Sequence, residues 1–192
     1  MTLVSNLING ISLGSVYAII ALGYTMVYGI AKMLNFAHGD VIMVGAYMCF
    51  CSMTYLSLPP IVSILIAMVV CTLLGVIVEV LAYRPLRKAS SLAVLITAIG
   101  VSYLLQNAAL LIWGSAPKTF SSVVPFGSVS LFNGDLIITG ESIVTVAACV
   151  VIMICLTVFT KKSRMGKAMR AVSEDKDAAQ LMGINVNKTI AI

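Results

Sequence analysis

The sequence predicts an all-α polytopic membrane protein, and three observations support this fold class. Of its 192 residues, 60% are hydrophobic and only 10% are charged, whereas a soluble domain carries about 25% charged residues. The mean hydropathy is +1.08. The chain also contains long apolar runs, and a helix needs about 20 such residues to cross the hydrocarbon core. We therefore expect residues 1–192 to form a single transmembrane domain.

Five apolar runs define the expected membrane elements. The first is too long for the apolar core of a signal peptide, and no basic stretch precedes it, so it should remain in the mature protein. The second is short and follows a polar turn, so a full span and a re-entrant or broken helix are both open. The five runs cover residues 3–30, 41–58, 61–81, 92–113 and 143–160.

The basic residues predict which side of the membrane each loop occupies. Ten of the twelve lie in two clusters, at 84–88 and 161–188. Clusters beside membrane helices mark the cytoplasmic side, so the loop 114–142, which carries only Lys118, should be outside. Three full spans before the first cluster place the N-terminus outside, a re-entrant second run places it inside, and Lys32 favours the former. Because anionic lipid headgroups suit these clusters, the net charge of +5 does not indicate nucleic acid.

The outer loop is expected to form a small β-hairpin near residues 128–139. Two β-prone stretches, SVSLF and DLIIT, flank Asn133 and Gly134, a pair typical of tight hairpin turns. This hairpin could be a simple connector, or it could dock or gate against an external partner.

Residues 164–183 are expected to form two short helices at the cytoplasmic surface. Apolar residues recur at helical spacing from Met165, Ser173 offers an N-cap for the second helix, and Gly183 offers its stop. On the residues alone, this basic segment could serve only to set the topology. The last residues, KTIAI, look like the start of another apolar segment that is cut off.

Polar residues in or beside the apolar runs are candidates for a translocation path, because polar groups at membrane depth are costly. His38 and Asp40 could instead hydrogen-bond each other in a structural turn. Gln106 and Asn107 could line a wet cavity or join neighbouring helices. The candidates are Asn35, His38, Asp40, Gln106 and Asn107.

Several kinds of chemistry are not indicated. The five cysteines lie inside apolar runs, so neither a disulfide framework nor a metal site is predicted, and no cofactor is expected. A G-x-S-x-G pattern from Gly10 to Gly14 would suit an intramembrane serine hydrolase that uses Ser12 and His38, although helix packing through Gly10, Gly14 and Ala18 explains it better. The sequence has no P-loop, so any energy from ATP must come from another chain.

Five segments of the chain together resemble the H-type permease of bacterial branched-chain amino-acid ABC transporters. They are NGISLGSVYAIIALGYTMVYGI, LNFAHGDVIMVGAYM, AYRPLR, LITAIGVSYLLQN and SRMGKAMRAVSEDKDAAQLMGIN. The resemblance implies a multi-pass, non-enzymatic permease subunit in the bacterial inner membrane. Leucine, isoleucine and valine are the implied solutes, and urea or short amides are the alternative within the same family.

The resemblance also implies how the protein would be driven. The cytoplasmic segment fits the coupling motif of ABC permeases, E-A-A, three residues, then G, with Asp in place of the first Glu. The implied coupling residues are Gly166, Arg170, Asp177, Ala178, Ala179 and Gly183. The implied partners are a second related permease, two ATPase subunits and an external solute-binding protein. A passive channel, the remaining alternative, would have no use for such a motif.

Overall fold

A computed structural model of the chain describes residues 2–32, 34–86, 89–119, 127, 129–131 and 136–191. The α-helices are α1 (Thr2–Ala31), α2 (His38–Thr54), α3 (Pro60–Val78), α4 (Ser91–Trp113), α5 (Gly140–Lys162), α6 (Arg164–Glu174), α7 (Lys176–Leu181) and α8 (Val186–Ala191). The backbone of α3 continues into a π-helical turn over Glu79–Tyr83 and a 3-10 turn over Arg84–Leu86. The predicted helical membrane fold is confirmed.

Within the described residues, four helices are long and apolar enough to cross a membrane. They cover Leu3–Ile30, Pro60–Leu86, Leu92–Trp113 and Gly140–Lys162. The remaining apolar helix, α2, has 17 residues and is about 26 Å long, which is shorter than the hydrocarbon core of about 30 Å. A full crossing by α2 therefore stays a prediction.

The start of α2 differs from the expected one. The second apolar run was expected to begin at residue 41, after a polar turn, but His38, Gly39 and Asp40 form the first turn of the helix. An acidic side chain in the first turn interacts favourably with the positive end of the helix dipole, so Asp40 supports the earlier start. The N-cap residue, Ala37, provides no side-chain cap.

Close packing joins α2 to α3. A Cβ added to Gly45 would lie 2.7 Å from the Cys71 sulfur, so only glycine fits at this point of α2 without a shift. The Cys71 thiol also donates to the Val41 carbonyl oxygen at 3.4 Å. These contacts hold the first half of α2 against the middle of α3.

Two contacts show that α2 and α4 run in the same direction. Gln106 hydrogen-bonds Asp40 at 3.0 Å, and the Trp113 ring stacks on Tyr47 with centroids 4.5 Å apart. The Tyr47–Trp113 pair lies seven residues further along both helices than the Asp40–Gln106 pair. Because Gln106 is about 22 Å from the start of α4, the beginning of α2 lies at membrane depth.

The direction of α1 follows from its neighbours. Its last turns, from Gly23 to Ile30, share a cavity with Leu156 and Phe159 near the end of α5, and α1 also contacts α6. The two helices therefore end on the same side of the membrane. Since α5 ends at Lys161 and Lys162, this supports the expectation that α1 starts outside.

The outer loop contains two short antiparallel strands. β1 (Val129–Leu131) pairs with β2 (Leu136–Ile138), with Val129 opposite Ile138 and Leu131 opposite Leu136. Asn133 and Gly134 lie outside the described residues, so the tight turn between the strands stays a prediction.

Candidate functional site

A cavity of ≈ 520 Å³ lies where the membrane helices meet the cytoplasmic helices. Residues of α1, α2, α3, α5, α6 and α8 contribute to its wall. Two of the five predicted translocation candidates, Asn35 and His38, line it, together with Glu79 and Tyr83 of the π-helical turn. Tyr83 was not among the residues expected from the sequence, although its place beside the basic end of the third apolar run was an available signal.

The break between α1 and α2 faces the π-helical turn across this cavity. Lys32 directly follows α1 and has a φ of 56°, a left-handed conformation that is unusual for a residue other than glycine. Three residues later, the Asn35 side-chain oxygen accepts a hydrogen bond from the Tyr83 hydroxyl at 2.7 Å. Since π-helical turns and strained residues are both enriched at functional sites, the pairing of these two irregular segments marks a candidate site.

His38 packs its ring against α1. The Tyr24 and His38 rings meet edge to face, with centroids 6.0 Å apart, and a Cβ on Gly23 would lie 3.2 Å from the imidazole. The His38 Nε2 atom is buried and has no hydrogen-bond partner among the described residues. A buried nitrogen without a partner is costly and needs an explanation.

Asp40 and Gln106 form an interhelical contact instead of lining the cavity. The Gln106 amide donates to the Asp40 carboxylate and, at 3.1 Å, to Ser102 on its own helix. Asp40 is bonded toward α4 while His38 packs on α1, so the mutual hydrogen bond considered for this pair is not the arrangement found. Asn107 is exposed and donates to the Tyr103 carbonyl of its own helix at 2.7 Å.

The structure does not favour the serine hydrolase alternative. Ser12 lies within the continuous helix α1, whereas a nucleophile elbow requires a strand before a sharp turn. His38 packs at Gly23, eleven residues further along α1 and so about 16 Å away along its axis. Ser12 therefore has no histidine beside it.

The corner between α5 and α6 is built around Gly166. Ser163 caps α6, because its hydroxyl accepts a hydrogen bond from the Gly166 N–H at 2.8 Å. A Cβ on Gly166 would lie 2.4 Å from the Phe159 carbonyl oxygen and 2.5 Å from the Thr160 Cα. Both are backbone atoms, so this position requires glycine to bring α6 against the end of α5.

The joint between α6 and α7 is at Asp175 and not at Ser173, the residue expected to cap the second helix. The Asp175 carboxylate accepts hydrogen bonds from the N–H groups of Asp177 and Ala178, at 2.9 and 3.0 Å. Ser173 is still inside α6, where its hydroxyl donates to the Arg170 carbonyl. A carboxylate that reaches two amides at the positive end of the helix dipole is the better cap.

Gly183 ends α7, as predicted. Its φ is 83°, its N–H donates to the Gln180 carbonyl, and the Ile184 N–H donates to the Ala179 carbonyl, each at 3.0 Å. This is the hydrogen-bond pattern of a Schellman motif.

The end of α7 exposes two large apolar side chains at the cytoplasmic surface. Leu181 is 89% exposed and Met182 is 82% exposed, whereas Ala179 faces inward and is buried. We call Leu181 and Met182 the apolar tip. These two residues were not among the site residues expected from the sequence, although two apolar residues directly before a stop glycine were an available signal.

Basic side chains are exposed at the end of α5 and along α6. Lys161, Lys162, Arg164, Lys167 and Arg170 are all exposed. Their charges suit anionic lipid headgroups or an acidic protein surface.

Comparison with known proteins gives consistent matches. The profile of the family described as branched-chain amino acid transport system / permease component matches residues 6–192. The chain is 41% identical to the high-affinity branched-chain amino acid transport system permease protein BraD of Pseudomonas aeruginosa, over 97% of this chain and 64% of BraD. It is 40% identical to the permease proteins LivH of Salmonella typhimurium and Escherichia coli, over 96% of this chain and 63% of each. The chain therefore spans slightly less than two thirds of these relatives, and no solved structure matches it.

Proposed function

Because the chain belongs to the family of branched-chain amino acid transport permeases, we propose that it acts in the permease subunit of an ATP-driven importer for leucine, isoleucine and valine. The subunit would lie in the bacterial inner membrane. Its partners would be a second related permease, two ABC ATPase subunits and an external solute-binding protein. The relatives BraD and LivH are named as high-affinity permease proteins for this class of solute.

The observation that carries this proposal is the exposed apolar tip on α7. Leu181 and Met182 project from a short helix that is capped at its start by Asp175 and stopped by Gly183. Large apolar side chains on a rigid helix at the cytoplasmic surface mark an interaction site for another protein. A passive channel would need no such site.

The proposed coupling residues divide into two groups by their position. Asp177 and Ala178 are exposed beside the apolar tip and would contact the ATPase directly. Gly166 and Ala179 are buried, and Gly183 forms the turn, so these three would hold α6 and α7 in place. Arg170 is exposed on α6 and would contact either the ATPase or lipid headgroups.

The test is uptake of labelled leucine by cells that lack this gene and receive its full-length version. We expect uptake that stops when cellular ATP is depleted. Leu181→Glu should lower uptake by at least about tenfold, because a charge at the centre of an apolar contact costs more than about 1.4 kcal/mol, while Leu181→Met should retain it. Leucine uptake that continues after ATP depletion would refute coupling to an ATPase. If the gene restores uptake of labelled urea but not of labelled leucine, urea is the solute instead.

A further inference from the structure

Four exposed basic residues lie where two packed membrane helices reach the cytoplasmic side. Ile30 near the end of α1 and Phe159 near the end of α5 line the same cavity, so these two helices end side by side. One basic residue directly follows α1, two end α5 and one begins α6. We call these four residues the basic corner: Lys32, Lys161, Lys162 and Arg164.

The charges of the basic corner are not balanced by nearby acidic residues. None of its four side chains forms an ion pair with a residue that the structure describes. The sequence has no acidic residue before Asp40 and none between Glu141 and Glu174, so no carboxylate lies near the corner along the chain. Concentrated positive charge at the cytoplasmic end of membrane helices attracts anionic lipid headgroups.

Lys32 occupies a position where glycine would suit the backbone better. Its φ of 56° is left-handed, and its N–H donates to the Tyr28 carbonyl at 2.9 Å, so it closes the last turn of α1. Helices commonly carry glycine at this position, because a Cβ is strained in the left-handed conformation. A lysine held in this strained conformation is therefore a candidate for a functional charge.

An exposed apolar stripe on α5 leads to the basic corner. Val151, Ile154 and Val158 are all exposed, and their spacing of three and four residues places them on one face of the helix. Lys161 follows Val158 by three residues and Lys162 follows it by four, so both lysines continue this face. An acyl chain that lay along the stripe would place its headgroup phosphate at these lysines.

We propose that the basic corner binds the headgroup of an anionic phospholipid of the cytoplasmic leaflet, with an acyl chain along the exposed stripe of α5. A free phosphate ion would match the charges but not the stripe. An acidic cytoplasmic protein would reach the charges but not the stripe, which lies within the membrane. The lipid would contact both the end of α5 and the start of α6, and so stabilise the corner that is built around Gly166.

Lipid binding to the detergent-solubilised, full-length protein tests this proposal. Native mass spectrometry measures the affinities for phosphatidylglycerol and for phosphatidylcholine with the same acyl chains. We expect phosphatidylglycerol to bind at least about tenfold more tightly. In Lys161→Gln/Lys162→Gln its affinity should fall by about fivefold for each charge removed, whereas Lys161→Arg/Lys162→Arg should retain it.

Lys118→Gln is the matched control for the loss of charge. It removes the same charge from an exposed residue of the outer loop, so the preference for phosphatidylglycerol should not change. Inorganic phosphate should displace no more lipid than chloride does at equal ionic strength. Greater displacement by phosphate would show that the corner takes a free anion and would overturn the lipid proposal.

Lys32→Gly separates the charge of this residue from its backbone strain. The variant removes both, so we expect the affinity for phosphatidylglycerol to fall by about fivefold while the melting temperature in phosphatidylcholine does not fall. Unchanged affinity would remove Lys32 from the site.

The remaining outcomes decide between a lipid and a protein at the basic corner. Equal affinities of the wild type for the two lipids, or an equal loss in Lys118→Gln, would refute the lipid site. Variants of the corner that bind phosphatidylglycerol as the wild type does, but bind ATPase subunits more weakly, would assign the corner to an acidic protein surface instead. Because lipid binding is measured without transport, its result is independent of the test of the proposed function.

Discussion

Gln106 on α4 donates a hydrogen bond to Asp40 on α2 across 3.0 Å, and this bond joins two helices that run side by side. Asp40 is 7% exposed, and its second carboxylate oxygen has no donor among the described residues. Gln106 thus supplies a donor to a buried carboxyl group. Interhelical bonds of this kind hold membrane helices together.

Removal of this donor should destabilise the protein. We expect Gln106→Leu to lower the free energy of unfolding of the detergent-solubilised, full-length protein by about 1 to 2 kcal/mol, because Asp40 then loses its partner. Asn107→Leu is the matched control and should change it little, since Asn107 is exposed and bonds only its own helix. The double variant Asp40→Leu/Gln106→Leu should lose less unfolding free energy than the sum of the losses in the two single variants. Additive costs would show that the two side chains do not act as a pair.

Gly45 and Cys71 provide a test of the contact between α2 and α3. Gly45→Ala places a methyl group 2.7 Å from the Cys71 sulfur and should cost about 1 to 3 kcal/mol through overpacking. Cys71→Ala in the same protein removes the sulfur and should recover most of that cost. Chemical denaturation of the single and double variants measures the coupling, and no recovery in the double variant would contradict the close approach.

Gly166→Ala should disturb the corner between α5 and α6. The added methyl group meets backbone atoms of Phe159 and Thr160 and cannot be accommodated by a side-chain rotation. We expect a loss of at least about 1 to 3 kcal/mol in unfolding free energy. The same substitution at Gly100, where no neighbour lies within 4 Å, should instead stabilise α4 by about 0.5 to 1 kcal/mol. Equal effects at the two glycines would argue against this corner geometry.

Asp175 and Ser173 distinguish the observed joint of the cytoplasmic helices from the one expected from sequence. Asp175→Ala removes the cap of α7 and should destabilise this helix by about 1 kcal/mol. Hydrogen exchange at the Asp177 and Ala178 amides should then become about fivefold faster, since both donate to Asp175. Ser173→Ala should leave these two amides unchanged. Faster exchange in the Ser173 variant alone would move the joint back to Ser173.

The difference between the two caps illustrates what the sequence can and cannot predict. Long charge-free runs predicted the spanning helices well, because the need for apolar residues in lipid acts on every position. Ser173 and Asp175 are both good capping residues, two positions apart, and local propensity did not separate them. The structure selects Asp175, whose carboxylate reaches two amides at once.

The site was harder to predict than the fold, since its partners are distant in sequence. Asp40 and Gln106 are 66 residues apart, and Asn35 and Tyr83 are 48 apart. The sequence marked three of these four residues, Asn35, Asp40 and Gln106, as polar groups near lipid, but it did not show which side chains would meet. It also gave no sign of the cavity, because six helices contribute to its wall.

Gly183 tests whether the shape of the turn after α7 matters for transport. Its φ of 83° is accessible to glycine and tolerated by asparagine, but a β-branched side chain there costs about 1 to 2 kcal/mol or more. Gly183→Val should therefore distort the turn that positions the apolar tip and lower ATP-dependent leucine uptake, whereas Gly183→Asn should largely preserve it. Because a Cβ at this position would meet no atom within 4 Å, any loss reflects backbone conformation and not a steric clash. Equal uptake by the two variants, at equal amounts in the membrane, would show that coupling does not depend on this left-handed turn.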